Sequence, residues 1–390
     1  MSRQNKLKIA IVSFDWKNIF ENDFSSFLGK LKRDRLNPQE NDFFIISWGS
    51  ESYYKNIDNF QTTHLKAIFG HYRFFYDFLS IFLAPLILKK HKFKPDVFLI
   101  YDFPLAAAGW LPKILWQTKI ILFLGNLPSS LAWTRKKIIW RRLYQRGCEI
   151  LFKNIIDSFF VISRVTGNYV LKVGVEKQKI KTIAPDILER DQEYISKSNK
   201  GMVRQKYGIP ADKKIWLSVG RLEPEKDFAD LINLFNAISW DDSVLIIAGK
   251  GILKDELETQ VKDLGLEKKV ILAGNVSRQE IWNYYQDADL FVLLSLSEGL
   301  GIVFLEAMFC GVPVLGRRIE GIEESIGASE ERGFLWQTSD GLERLKEKIN
   351  LCLEGGPEIE EKIKKARQYA KALGENKEDI NYYFKEVLEK

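Results

Sequence analysis

The sequence predicts an α/β protein of two doubly wound domains in tandem, each a mostly parallel sheet covered by helices. Three observations carry this expectation. Apolar runs of buried-strand type alternate with longer helix-like stretches from residue 7 to about residue 190. The rhythm lapses in a charged stretch holding Gly208 and Pro210, then restarts near residue 215. At 390 residues the chain is too long for one ordinary core and suits two of roughly 150–200 residues.

In the first half the runs at 7–14, 43–48, 97–101, 119–124 and 158–163 are dense in Val, Ile, Leu and Phe, as strands buried on both faces require. Runs at 215–219, 243–248, 270–273, 290–294 and 312–315 repeat the pattern, with amphipathic segments between them. The boundary is expected near 190–200, giving domains at 1–195 and 196–370. From Glu358 onward the chain reads as charged helices broken near Gly374, with Tyr382, Tyr383, Phe384 and Leu388 as an apolar stripe. Residues 371–390 are expected to form a helix packing toward the first domain, a plain capping helix being the alternative.

Hydrophobic content of 46% and aromatic content of 13%, with no low-complexity tract, exclude a disordered class. Cys148, Cys310 and Cys352 are too scattered for a disulfide framework or metal cluster and fit a reducing, cytoplasmic compartment. The start, Met-Ser-Arg-Gln-Asn-Lys, lacks the apolar core and cleavage site of a signal peptide. The net charge of +6 is uneven: residues 1–200 hold 32 Lys+Arg against 18 Asp+Glu, and residues 201–390 hold 26 against 34. The basic half calls for a partner.

The segment richest in chemistry follows the run at 290–294. Ser295-Leu-Ser-Glu-Gly-Leu-Gly301 leads into a helical run, Ile302 to Cys310, that Gly311-Val-Pro313 stops. Gly299 and Gly301 let backbone amides approach a ligand, and the helix start adds positive potential, which together suit a diphosphate. Glu306 lies on the order of 7 Å down the helix at 1.5 Å per residue, comparable to the step from a diphosphate to a ribose whose hydroxyls it would accept. Glu298, ahead of the helix, would accept from sugar hydroxyls at the other end. Taken alone, the two carboxylates are better explained as a charge complementing the helix dipole and a solvated helix residue.

A second strand end alters that balance. The run at 215–219 leads into Gly220-Arg-Leu-Glu-Pro-Glu-Lys226, with Asp227 as N-cap of the next helix. Arg221 and Lys226 then sit in a loop at a strand's carboxyl end, where open α/β sheets bind ligands. Two such cations can neutralise a leaving diphosphate without a metal.

With these residues in view, the chain resembles the GT-B-fold retaining glycosyltransferases of family 4, also called glycosyl transferases group 1. The likeness rests on Val219-Gly-Arg-Leu-Glu-Pro-Glu-Lys226, Ala248-Gly-Lys-Gly251, Ala273-Gly-Asn-Val276, Ala288-Asp-Leu-Phe-Val-Leu293, Ser297-Glu-Gly-Leu-Gly-Ile-Val-Phe-Leu-Glu-Ala-Met308 and Gly311-Val-Pro-Val314. Glu298 and Glu306 match the family's paired glutamates, with seven residues between them. The resemblance implies two Rossmann-like domains facing each other across a cleft, the first binding acceptor and the second a UDP- or GDP-sugar. It implies that Glu298 and the amides of Gly299, Leu300, Gly301 and Ile302 hold the sugar, Gly220, Arg221 and Lys226 the diphosphate, and Glu306 the ribose, with Asn275 and Val276 near the base. Transfer would be retaining and metal-independent, with no cofactor beyond the donor and no protein nucleophile. The catalytic set would then be Arg221, Lys226 and Glu298.

The first half departs from the family pattern. Phe123-Leu-Gly-Asn126-Leu-Pro128 stands where many members carry a His-Asp pair, so Asn126 is a candidate sugar contact. Asp15 and Asp23, after the first strand, are candidates to assist the acceptor, though a turn or cap role explains each as well. Asp287-Ala-Asp289 has the form of a metal-binding pair but directly precedes a buried strand, which favours structural roles, and His64, His71 and His91 lack ligand spacing.

Residues 61–150 hold 14 Lys+Arg against 4 Asp+Glu. They include the apolar stretch Phe74 to Leu88, too short to span a bilayer, and the basic aromatic stretch Trp133 to Arg146. The expectation is peripheral attachment to an anionic membrane surface on its cytoplasmic side, serving a glycan, polysaccharide-precursor or lipid-linked acceptor. A core helix with one solvated basic face is the alternative, and nucleic acid is excluded by the lack of any accompanying motif. The competing functions are a nucleotide-sugar epimerase or phosphorylase on the same fold, and a non-catalytic GT-B scaffold.

Overall fold

The computed structural model describes residues 6–14, 41–49, 53–57, 60–66, 73–100, 103–127, 138–183, 191–238, 242–374 and 380–389. The chain divides into two compact units. Met1–Gly125, Arg135–Ile183 and Glu378–Lys390 make the first, and Asn126–Thr134 with Ala184–Lys377 the second.

Among the described residues, the first unit has eight strands: β1 (Leu7–Phe14), β2 (Asn41–Gly49), β3 (Tyr53–Ile57), β4 (Phe60–Lys66), β5 (Val97–Ile100), β6 (Lys119–Leu124), β7 (Ser158–Val161) and β8 (Ile180–Thr182). Their order is β3-β4-β2-β1-β5-β6-β7-β8. All pairs are parallel except β3 with β4, because only two residues separate those strands and a parallel return needs a long crossover. Residues of one parity, such as Val12, Phe44, Phe98, Leu122 and Phe159, point to one side of the sheet. There they share a core with helices Arg73–Lys90, Ala107–Trp116, Ile138–Phe152 and Arg164–Lys172, through Leu88, Ala108, Cys148 and Val170.

Helix Ile380–Glu389 belongs to this first unit. Phe384 is fully buried and stacks on Phe160 of β7 with ring centres 5.9 Å apart, while Glu386 pairs with Lys181 of β8 at 2.8 Å. Tyr382, expected in the apolar stripe, is exposed, and Val387 is buried instead. Helical spacing puts 384, 387 and 388 on one side and turns 382 away.

The second unit holds β9 (Lys214–Val219), β10 (Ser243–Ala248), β11 (Val270–Gly274), β12 (Leu290–Leu293), β13 (Val314–Arg317) and β14 (Phe334–Trp336), all parallel, in the order β11-β10-β9-β12-β13-β14. This is the doubly wound order that reverses direction between its first and fourth strands, here β9 and β12, and that reversal opens a crevice at the strands' carboxyl ends. Residues 191–207 also pack on this unit: Asp191 is fully buried against Arg278, and Asp287 caps helix Met202–Tyr207. The unit therefore takes in residues before the expected 195/196 boundary, and the return to the first unit falls at 377/378.

Candidate functional site

The chain leaves β9 through Gly220, Arg221 and Leu222, and this turn is braced by backbone. The amides of Gly220 and Leu222 donate to the carbonyls of Ala248 and Lys250, at 3.0 and 2.9 Å, and the Leu253 amide donates to Leu222 at 3.0 Å. A Cβ on Gly249 would stand 1.8 Å from the Gly220 carbonyl oxygen, which explains a glycine in Ala248-Gly-Lys-Gly251 without any ligand. Arg221 extends into solvent with its side chain 63% exposed, and reaches back to Glu225 at 2.8 Å.

A short 3-10 turn, Pro224–Lys226, follows. It ends at Asp227, whose φ of 52° is left-handed, a conformation that Asp tolerates better than most residues. Burial pushes the Asp227 carboxyl up, although Arg317 at 2.8 Å and the amide of Asp230 both oppose that. The bond from Asp230 fits the N-cap role expected of Asp227 for helix Phe228–Ile238.

The chain leaves the neighbouring strand β12 through Ser295 and Leu296. The Leu296 amide donates to the Glu225 carbonyl at 2.8 Å, so the two strand-end loops are joined directly. Lys226 and Glu298, 72 positions apart, meet as an ion pair with Nζ 2.5 Å from Oε1, and their side chains are only 11% and 7% exposed. Ser295 Oγ donates to the same Oε1 at 2.8 Å, leaving Oε2 of Glu298 without a hydrogen-bond partner among the described residues. The Glu298 backbone is held from behind by helix Glu320–Ile326, where a Cβ on Gly321 would lie 2.0 Å from the Glu298 carbonyl oxygen.

Gly301, at φ 68°, caps helix Ile302–Cys310 with no side-chain bond to the first amides. Ser325 donates to the Leu300 carbonyl and fixes the approach to that helix start. A buried cation, a carboxylate with one unused oxygen and a helix start with uncapped amides thus lie on loops from the two adjacent strands at the crevice.

Glu306 lies on the same helix but is 2% exposed, so it is not a solvated residue. Arg278 donates to its Oε1 at 2.5 Å and the Tyr285 hydroxyl to its Oε2 at 2.8 Å. Burial, and then the Glu306 charge, hold the Tyr285 phenol protonated well above its ordinary range. The sequence reading missed Arg278, Tyr285 and Asp191 altogether. Arg278 follows Asn275, which is exposed, and Val276, which is half-buried, and only its place two residues beyond Val276 could have drawn notice.

Asn126 follows β6 and is exposed, with its Oδ1 accepting from the Leu127 amide at 2.9 Å. Asp15 and Asp23 lie outside the described residues. Asp287 accepts from the amides of Gly201, Val203 and Arg204, and Asp289 from Arg204 and the Ile215 amide, so both carboxylates of that D-x-D are consumed in joining residues 201–215 to the sheet. His91 packs on the Phe44 ring with centres 5.2 Å apart, and its pKa is lowered by burial and then by Lys90. No group of three or more potential metal ligands occurs among the described residues.

Residues 199–372 match the family described as "Glycosyl transferases group 1". Among curated proteins, alpha-monoglucosyldiacylglycerol synthase of Streptococcus pneumoniae is 33% identical over 146 residues, which is 37% of this chain and 33% of that protein. The chain thus matches about a third of that relative's length. Among solved structures, sucrose-phosphate synthase of Thermosynechococcus elongatus aligns with a TM-score of 0.77 at 17% identity, covering 94% of this chain and 95% of that one. HepE of Anabaena, in complex with UDP and glucose, aligns with a TM-score of 0.70 at 17% identity over 98% of both chains. The fold is therefore that of the GT-B glycosyltransferases, as the resemblance implied, and the sequence match to the family falls on the second unit.

Proposed function

We propose that this chain is a retaining, metal-independent glycosyltransferase that moves a sugar from a UDP- or GDP-sugar to a glycan, polysaccharide-precursor or lipid-linked acceptor at the cytoplasmic face of a membrane. The buried Lys226–Glu298 pair at the crevice between β9 and β12 carries this reading. Lys226 and the exposed Arg221 neutralise the diphosphate as it departs, Glu298 accepts from sugar hydroxyls through its unused Oε2, and the amides of Gly299 to Ile302 receive the remaining negative charge. The bond from the anomeric carbon to phosphate breaks, the acceptor oxygen bonds to that carbon on the same face, and the acceptor's proton passes to the leaving phosphate oxygen. Two protein cations supply the charge stabilisation that a metal gives elsewhere.

The membrane part of the proposal is supported by the outer side of the helical layer on the first unit. Leu86, Ile114, Leu115 and Leu151 are each more than half exposed there, and Trp110 nearly so. The exposed cations Lys89, Lys90 and Arg146 lie on the same helices. No helix among the described residues is long and apolar enough to cross a membrane, so the contact would be peripheral. The name of the Streptococcus pneumoniae relative, a synthase of a glucosylated diacylglycerol, supports a lipid acceptor.

Two experiments test these statements. Thermal-shift titration with UDP-, GDP- and ADP-sugars, followed by transfer assays with lipid-linked acceptors, is expected to find one donor that binds and one anomer retained in the product; an inverted anomer or a strict metal requirement overturns the mechanism. Sedimentation with anionic vesicles is expected to carry the protein down at low salt, and no binding there removes the membrane part.

A further inference from the structure

Arg278 is a buried cation that the donor chemistry does not use. Its Nε donates to Asp191 Oδ2 at 2.9 Å, its NH2 donates to the same oxygen, and its NH1 donates to Glu306 Oε1 at 2.5 Å. Its flat face lies 5.1 Å from the Trp282 ring centre. Asp191 has no exposure, Glu306 has 2% and Tyr285 has none, while the Arg278 side chain is 9% exposed. Burial works against the charge on Arg278, but Glu306 and then Asp191 outweigh it and hold the pKa above the ordinary value. Each carboxylate oxygen has two lone pairs, so Glu306 keeps acceptor capacity on both oxygens after bonding Arg278 and Tyr285.

We infer that Arg278 is a positioning residue for nucleotide recognition: pinned by Asp191 and Trp282, it fixes the direction of the Glu306 carboxylate, so that Glu306 selects a ribose diol over a 2′-deoxyribose. The inference rests on Glu306 accepting from the ribose. Without Arg278, two buried carboxylates lose the guanidinium they share, and Glu306 is left with Tyr285 as its bonded partner among the described residues and is free to turn about that bond. Lysine at 278 would keep the charge but lose the planar fork that reaches both partners at once. The inference also explains why a residue two positions past Val276 is tied to Asp191, 87 positions earlier, rather than left in solvent.

The test is isothermal titration of the full chain with UDP, GDP and the 2′-deoxy form of each. For the base that binds, the wild type is expected to favour the ribose form at least about tenfold, the scale of one hydrogen bond to a charged acceptor. In Arg278→Met the ratio is expected to fall below about threefold, with Arg278→Lys recovering part of it. Lys226→Ala should weaken both forms alike and leave the ratio standing, because its loss falls on the diphosphate. Circular dichroism identifies the folded variants. A folded R278M with the wild-type ratio overturns the role of Arg278; if R278M does not fold, an unchanged ratio in both R278K and Asp191→Asn overturns it. A wild type without ribose preference, or Glu306→Gln with the preference intact, instead overturns the reading of Glu306 and this role with it. Loss of preference in E306Q but not in R278M sinks the Arg278 role alone.

Discussion

Lys226→Met removes one charge of a buried pair while keeping most of the side-chain stem. Glu298 would then hold a carboxylate that is 7% exposed with Ser295 as its remaining donor. Breaking a buried ion pair from one side costs about 3–5 kcal/mol, because the surviving charge stays desolvated. For a unit of about 200 residues, each kcal/mol moves Tm by roughly 2–4 °C, so the transition of the second unit should fall by roughly 6–20 °C. Turnover should drop about 10²–10³-fold, the scale of losing one group that stabilises developing charge. The double variant K226M/E298Q separates the two effects. With both charges gone and a neutral acceptor left for Ser295, most of the stability returns, while turnover stays down because the diphosphate has lost its buried cation. Differential scanning calorimetry and a donor-dependent transfer assay read the two quantities on the same samples. If K226M melts within about 1 °C of wild type, the pair is not the buried interaction described here; if the double variant turns over at the wild-type rate, Lys226 has no part in catalysis.

Other substitutions separate structure from chemistry in the same way. Arg221→Ala removes a 63% exposed side chain, so its Tm should hardly change while turnover falls at least about 100-fold; a matched loss of both would reassign Arg221 to folding. Asp287→Ala strips three amides around residues 201–204 of their acceptor and should cost about 1–3 kcal/mol, read by urea titration, with no change in the response of turnover to EDTA. Phe384→Ala empties a fully buried site against Phe160 and should destabilise the first unit by about 3–5 kcal/mol, with nucleotide affinity preserved.

How far the sequence could be read followed the range of the forces involved. The long strands β1, β2, β6, β9 and β10 announce themselves because burial on both faces demands unbroken apolar runs. The strands β3, β4, β8 and β14 were not anticipated: Tyr53-Tyr-Lys-Asn-Ile57 and Phe60-Gln-Thr-Thr-His-Leu-Lys66 mix polar and apolar positions, and β8 and β14 have three residues each. In the site, Gly220 to Lys226 and Glu298 to Glu306 were legible because turn glycines, strand ends and helix starts are local features. The Arg278 cluster was not, since nothing near Arg278 in sequence distinguishes an arginine bound to Asp191, 87 positions away, from one in water. For Glu306 both expectations assumed a side chain facing outward. The tertiary structure turned it inward and satisfied it first with protein.

Helix Ile380–Glu389 gives the molecule an unusual birth order. The residues of the second unit are all synthesised by 377, whereas the first unit still lacks Phe384 and Glu386 at that moment. At roughly 5–20 residues per second, the stretch from 183 to 378 takes about 10–40 s to make, and through that interval the Phe160 side of β7 waits for its partner. The half that begins first is therefore finished last. A nascent chain arrested anywhere before residue 384 would carry an apolar vacancy on its first unit, while an arrest after 377 would leave Lys226 and Glu298 free to meet.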